Sequence, residues 1–398
     1  MERIYMDHAA TSPLHPAVRE VMIESMNKYG NPSSVHAAGR EAKAVIRKAR
    51  DGIASTLGCS PHELIFTSGG SESDNSAIFG VLWSRWLKLS KNKQAGAGEH
   101  AVKPHLITTE IEHHAVLHAA EQAERLGFEV TYIKPDQAGI IQPEAIKAAI
   151  RPETCLISVM YVNNEVGTIQ PIQQIGQIAH DHGILMHTDA VQALGLVALK
   201  LNELPIDFAS FSAHKVNGPK GIGLLYAKHG AEWEPFLFGG SQERNRRAGT
   251  ENVTNIVGFG EAVVQAYGSA EWFEHKLLEI SQLRDLLWNS IKEQFGERVV
   301  RNGDPVRTAP HILNVSFLDV PTETMIMNLD MQGIMVSSGS ACTSGSLEVS
   351  HVLKAMQLPD EQTRTAVRFS LGLGNTKEQV QQVVKQIASI VSRVRTRG

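Results

Sequence analysis

The sequence predicts an α/β fold, a mainly parallel sheet between helices, joined to a smaller α+β domain. Three observations carry this. Short apolar runs of strand length alternate with amphipathic helical stretches through the first part of the chain, the pattern of helices layered on a parallel sheet. Seven such runs occur before about residue 255, which sets the expected sheet at seven strands. Beyond that point the texture changes to long helical patterns with short strands between them.

The seven runs are, in order, "ELIFTS", "HLITTEI", "FEVTYIK", "CLISVMYV", "ILMHTDA", "DFASFSA" and "GIGLLYA". Helical patterns such as "IQQIGQIAHDHG" lie between several of them. The stretch 84–104 has no apolar period after Leu89 and is expected to be a surface loop. In the later part, "SAEWFEHKLLEISQLRDLLWNSIKEQFG" puts Phe273, Leu277, Ile280 and Leu287 near one helix face. Strand candidates "RVVRNG", "ILNVSFL", "GIMVSSG" and "AVRFSLG" follow. A last helix carries the stripe Val380, Val383, Ile387, Ile390 and Val394, with Thr376 and Gln379 suited to a capping box.

With 398 residues, 42% hydrophobic and 20% charged, the composition is that of an ordinary soluble enzyme. A net charge of −4 argues against an electrostatic nucleic-acid footprint. No signal-peptide h-region and no run long enough to span a bilayer is visible. Three dispersed cysteines, Cys59, Cys155 and Cys342, argue against a disulfide framework or a structural zinc site and fit a reducing cytoplasm.

Five stretches carry chemistry. "FTSGGSESDN" runs from a strand through glycines into a helix, where free N–H groups bind anions; a Ser-capped helix after a turn would read the same. Asp189 in "MHTDAVQ" stands at a strand end, where ligands bind in open α/β sheets; it also suits a helix N-cap. Lys215 in "FSAHKVNGPKG" follows an apolar strand. A lysine desolvated there becomes a nucleophilic amine able to form a Schiff base, although a turn lysine on the surface has the same neighbours. His114 and His118 are four apart, but no third ligand is near and no metal site is expected. His113 follows a strand and could face a cleft. Cys342 lies in "VSSGSACTSGSLE", where no residue from Ser337 to Ser346 has a large apolar side chain to pack, which suggests a mobile loop with a reactive thiol. Cys59 and Cys155 read as structural.

The order of these features, with Arg368 in the second domain, supplies anchors for a phosphorylated pyridine aldehyde and a thiol beside it. At this point the sequence resembles the cysteine desulfurases of the NifS/IscS type, class V aminotransferase-like, fold-type I pyridoxal-phosphate enzymes of the aspartate-aminotransferase-like fold. The motifs span nearly the whole chain: "YMDHAATSPLHP", "GNPSSVHAAGR", "FTSGGSESDN", "EHHAVL", "VNNEVGTIQPI", "HTDAVQALG", "FSAHKVNGPKGIG", "RRAGTENV", "SSGSACTSGSLEVSHVL" and "VRFSLG". The long glycine-containing Cys loop resembles that of the flexible-loop group.

The resemblance implies a large cofactor-binding domain over 16–255, and a small domain formed by 1–15 with 256–398 that carries the Cys loop (336–348). It implies that Lys215 anchors pyridoxal 5'-phosphate covalently, that Asp189 pairs with the ring nitrogen, and that Gln192 donates to the phenolic oxygen. His113 would stack on the ring and act in proton transfer. Gly70, Ser71, Ser212 and His214 would hold the phosphate. Thr250 would reach the phosphate of a neighbouring subunit, implying a homodimer. Asn164, beside the cofactor, and Arg368 would bind the substrate carboxylate. L-cysteine would give L-alanine and a persulfide on Cys342, which is passed to an iron–sulfur scaffold or a transfer-RNA thiolation enzyme. Cys342 could also transiently ligate a cluster shared with such a scaffold. The last amphipathic helix ends the sequence, an expectation against scaffold docking by a further C-terminal segment. A selenocysteine lyase or another enzyme of the same fold type is the nearest rival. A nucleotide-binding protein lacks its Gly-x-x-x-x-Gly-Lys-Ser/Thr loop here, and a non-catalytic sulfur-relay scaffold is the third alternative.

Overall fold

The computed structural model describes residues 3–93, 103–339 and 349–395. Cys342, most of the expected Cys loop and residues 94–102 of the stretch 84–104 lie outside the described residues.

Twelve strands are described: β1 (Ile4–Tyr5), β2 (Leu64–Thr67), β3 (His105–Thr109), β4 (Glu129–Ile133), β5 (Thr154–Ser158), β6 (Leu185–Asp189), β7 (Phe208–Ser212), β8 (Gly223–Ala227), β9 (Val299–Asn302), β10 (Ile312–Phe317), β11 (Ile334–Met335) and β12 (Ala366–Ser370). The seven expected runs form one seven-stranded sheet in the order β2-β8-β7-β6-β5-β3-β4. The pairs from β7 through β6, β5 and β3 to β4 are parallel. β8 alone runs against both of its neighbours.

Successive side chains of a strand point to opposite faces, and here they feed two separate cores. Ile65, Leu106, Leu156, Phe208 and Leu225 pack with Ile78, Leu82 and Val116 from the helices Gly70–Lys93 and His114–Arg125. Leu64, Phe66, Ile107, Ile157, Leu224 and Tyr226 pack on the other face with Ile53, Ile175 and Phe259. A third core joins Ile4 and Met6 to Leu287, Val315, Phe369, Val383 and Ile387, around the antiparallel sheet β12-β10-β9.

The helix Gly70–Lys93 corrects the reading of 84–104: its first ten residues continue that helix. The helix outruns its core, since Trp86 is 51% exposed, and Leu, Lys and Arg there sustain helix without a packed face. The expected capping box is half formed. Thr376 Oγ1 accepts from the N–H of Gln379 (3.3 Å), but the Gln379 side chain accepts from Asn375 Nδ2 (3.2 Å) instead of turning back on Thr376. No helix among the described residues is long and apolar enough to cross a membrane.

The first residues of the chain stitch the two parts together. β1 pairs with β11, the Met6 carbonyl accepts from Ser370 N–H at 2.8 Å, and the backbone then runs past the ends of β6 and β7.

Candidate active site

Parallel strands converge at their C-terminal ends, and side chains leaving several strands there meet in one crevice. Asp189 is the last residue of β6 and Ser212 the last of β7, while Lys215 ends the 3-10 turn Ala213–Lys215 just beyond. Gly70 and Ser71 open the helix after β2, and His113 caps the helix after β3. Arg368 reaches in from the middle of β12. Gly70, Ser71, His113, Asn164, Asp189, Gln192, Ser212, His214, Lys215 and Arg368 all line one cavity of about 310 Å³, a volume within the small-molecule range. Thr250 does not: it is exposed and lines a separate cavity with Thr67 and Arg247.

The lysine is held by the N-terminal segment. Its Nζ donates to the carbonyl oxygens of Ala9 (2.6 Å) and Ala10 (2.7 Å). Gln192 Nε2 donates to the same Ala9 oxygen at 2.8 Å, and its Oε1 faces His311 Nε2 at 3.2 Å. Because Oε1 can only accept, the His311 proton sits on Nε2. Arg368 is 2% exposed. It donates to the Asn164 carbonyl at 2.8 Å and to Asp7 Oδ1 at 2.9 Å, which fixes its plane at the cavity wall.

Burial dominates the electrostatics. It pushes the Asp189 carboxyl up to about 6, against the opposing pull of the Val191 N–H and of Lys215. Asp74, one turn into the helix Gly70–Lys93, lines the same cavity; burial, then Asp189 and Glu112, raise it well above the carboxylate range. Its Oδ1 has no hydrogen-bond partner and lies 3.5 Å from His187 Nε2. Burial also lifts Glu112 to about 8. Burial thus favours the protonated form of each of these three acids. His113 and His214 are both lowered to about 4, by burial first and then by Lys215, so both rings are neutral. His113 Nδ1 accepts from Ala115 N–H at 3.1 Å, which leaves its ring proton on Nε2.

Asp74, Glu112 and the Ala9 and Ala10 carbonyls escape sequence reasoning. Asp74 stands inside "FTSGGSESDN", and its one signal is a charge on the buried face of a helix. The backbone carbonyls leave no signal.

The site suits a phosphorylated pyridine aldehyde on several counts. A Cβ at Gly70 would come 2.8 Å from Val191 Cγ2, so the bare backbone leaves room at a helix start whose N–H groups bind anions. A buried carboxylate suits a ring nitrogen, and the Lys215 amine lines the same cavity. Comparison with known proteins agrees. Residues 4–383 match the family model "Aminotransferase class-V". The chain is 46% identical over 397 residues to "Putative cysteine desulfurase IscS 1" of Bacillus subtilis, covering 99% of this chain and 100% of that protein. The solved structure "NIFS-LIKE PROTEIN" superposes with a TM-score of 0.86 at 35% identity, covering 98% and 100% of the two chains. "SspA in complex with cysteine" gives 0.79 at 36% identity, covering 92% and 98%. This chain belongs to the class-V aminotransferase family, among its IscS- and NifS-type cysteine desulfurases.

Proposed function

We infer that this chain is a pyridoxal-phosphate-dependent cysteine desulfurase that takes sulfur from L-cysteine, releases L-alanine and holds the sulfur as a persulfide on Cys342. The supporting observation is one cavity wall shared by Lys215, Asp189, His113, Arg368 and Gly339. Cys342 lies three residues beyond Gly339, so the two Cα atoms are within about 11 Å of each other by chain length alone.

Lys215 would anchor the cofactor, with Asp189 at its ring nitrogen, Gln192 at its phenolic oxygen and His113 over its ring. Gly70, Ser71, Ser212 and His214 would take its phosphate. Pyridoxal phosphate held there supplies a sink for the electron pair left on the substrate α-carbon. Arg368, braced by Asp7 and the Asn164 carbonyl, binds the substrate carboxylate together with Asn164. The Lys215 amine takes the α-proton and returns one. The Cys342 thiolate forms a bond to the substrate sulfur as the carbon–sulfur bond breaks, and a proton completes L-alanine.

A homodimer completes each site through the partner's copy of Thr250. Leu237 and Phe238, 42% and 73% exposed, precede that segment, and Tyr29 and Val35, 91% and 89% exposed, flank Pro32 and Ser33, which share a cavity with Ser241 and Glu251. Large exposed apolar groups along one edge favour association. Two domains are proposed as well, with the helix Val253–Tyr267 in the large one, since Ile256 and Phe259 pack in the core of the seven-stranded sheet. The sulfur passes to an acceptor protein for iron–sulfur assembly or transfer-RNA thiolation, in the cytoplasm.

The test is a single turnover with L-cysteine followed by mass spectrometry. The extra sulfur is expected on Cys342, with one alanine per sulfur. Burial raises the thiols of Cys59 and Cys155 to about 12, so both stay protonated and inert. Sulfur found on either would overturn the reading.

A further inference from the structure

Glu165 is 1% exposed and sits between Asn164 and the rest of the "VNNEVGTIQPI" stretch. Its backbone is locked from both sides. Asn163 Oδ1 accepts from the N–H groups of Glu165 (2.9 Å) and Val166 (3.0 Å). The Glu165 carbonyl accepts from Asn314 Nδ2 at 3.1 Å, from the smaller sheet. Its carboxyl meets both ends of the segment 340–348. On the far side, Ser350 Oγ donates to Glu165 Oε2 at 2.5 Å. On the near side lies Gly339, at φ +91, where an added Cβ would come within 3.0 Å of the same Oε2.

Both ends are also tied to groups that line the cavity or flank it. Ser337, two residues before Gly339, exchanges backbone hydrogen bonds with Arg368 at 3.2 and 2.7 Å. Ser350 accepts from Leu353 N–H at 3.1 Å, capping the next helix, and His351 Nε2 donates to the Glu112 carbonyl at 3.0 Å. A buried carboxyl is costly where an apolar residue would pack. Here it lies against both Gly339 and Ser350, next to the residue that braces Arg368.

We propose that Glu165 is a positioning residue for sulfur transfer, holding in place Gly339 and Ser350, which bracket the segment of sequence that bears Cys342. This rests on Cys342 being the sulfur acceptor. Glu165 touches neither substrate nor sulfur; it acts through Gly339 and Ser350.

The experiment uses cofactor-loaded enzyme and two readouts. One is the single-turnover rate of persulfide formation on Cys342. The other is the L-cysteine concentration that half-saturates the change in the visible cofactor band. Glu165→Ala should slow persulfide formation roughly tenfold to a hundredfold, as expected for a lost buried hydrogen bond and a misplaced nucleophile. Half-saturation and the band itself should stay within about twofold. Glu165→Gln, whose amide oxygen still accepts from Ser350, should restore the rate to within about threefold of the parent. Gly339→Ala should slow the same step, and it decides the matter if Glu165→Ala does not fold. Persulfide formation unchanged in Glu165→Ala, or a loss shared equally by cofactor and cysteine binding, would overturn the proposal. Cys342→Ala separates the two levels. If it still forms an enzyme persulfide, the choice of Cys342 falls. If it does not, and the Glu165 and Gly339 variants are normal, the positioning role alone falls.

Discussion

The ammonium of Lys215 rests 2.6 Å from the carbonyl oxygen of Ala9, more than two hundred residues earlier in the chain. Two backbone carbonyls hold the amine at the cavity, and its charge is felt by Asp189.

Lys215→Ala should abolish turnover while leaving the cofactor weakly bound through Asp189 and the helix start at Gly70. Borohydride treatment should fix cofactor to the parent protein and not to the variant. Alanine release by the variant at more than about a thousandth of the parent rate would contradict the anchoring role.

Retention of cofactor should depend on pH through Asp189. Its folded value of about 6 lies above the ordinary 3.8. The folded, cofactor-free protein therefore holds this proton more tightly than the unfolded chain. That contribution to stability is complete below about pH 4 and is lost as pH rises through about 6. Cofactor retention should run the other way, because in the proposed role Asp189 pairs with the ring nitrogen as the ionised carboxylate. Equilibrium dialysis should show affinity falling up to about tenfold per unit below pH 6, and Asp189→Asn should bind more weakly with that slope removed. An identical slope in the variant would assign the titration to another group.

Thr250 belongs to the partner's site in the proposed dimer. Mixed dimers of Lys215→Ala with Thr250→Ala subunits should regain activity, since one of the two sites then has both groups intact. Neither variant alone should match the mixture. A mixture no more active than its parents would place Thr250 and Lys215 in the same site.

Glu243→Ala should be among the more destabilising substitutions. Arg50 and Glu243 are 8% and 6% exposed and pair at 2.6 Å, and Glu243 also accepts from Phe66 N–H at 3.0 Å. Removing one partner strands a buried guanidinium, at a cost of roughly 3–5 kcal/mol. Glu243 and Arg244 hold left-handed backbones, at φ +43 and +59, which the pair helps to keep. A shift in the urea midpoint worth under about 1 kcal/mol would show that water reaches Arg50.

The strands of the large sheet were legible because each core-facing run carries its own apolar record, and each of the seven runs found its place. The antiparallel sense of β8 was not legible, since direction depends on how "GPKGIG" turns and not on any period. The helix to Lys93 was missed because its end touches little core, and periodicity reports only what is buried. Most of the cavity residues were legible from strand ends and glycine turns. Asp74 was not, because a buried acid paired with another acid looks the same in sequence as a solvated one. The carbonyls that hold Lys215 belong to the backbone, which every residue shares.

The pairing of β1 with β11, and of Met6 with Ser370, has a consequence for the order of synthesis. Residues 9 and 10, which hold the lysine, emerge early from the ribosome. They are seated by strands more than three hundred residues downstream. At about 5–20 residues per second, the large sheet can form while Arg368 has yet to be made. The newborn chain would carry Lys215 and Asp189 in an unfinished cavity, with Arg368 and Cys342 arriving last.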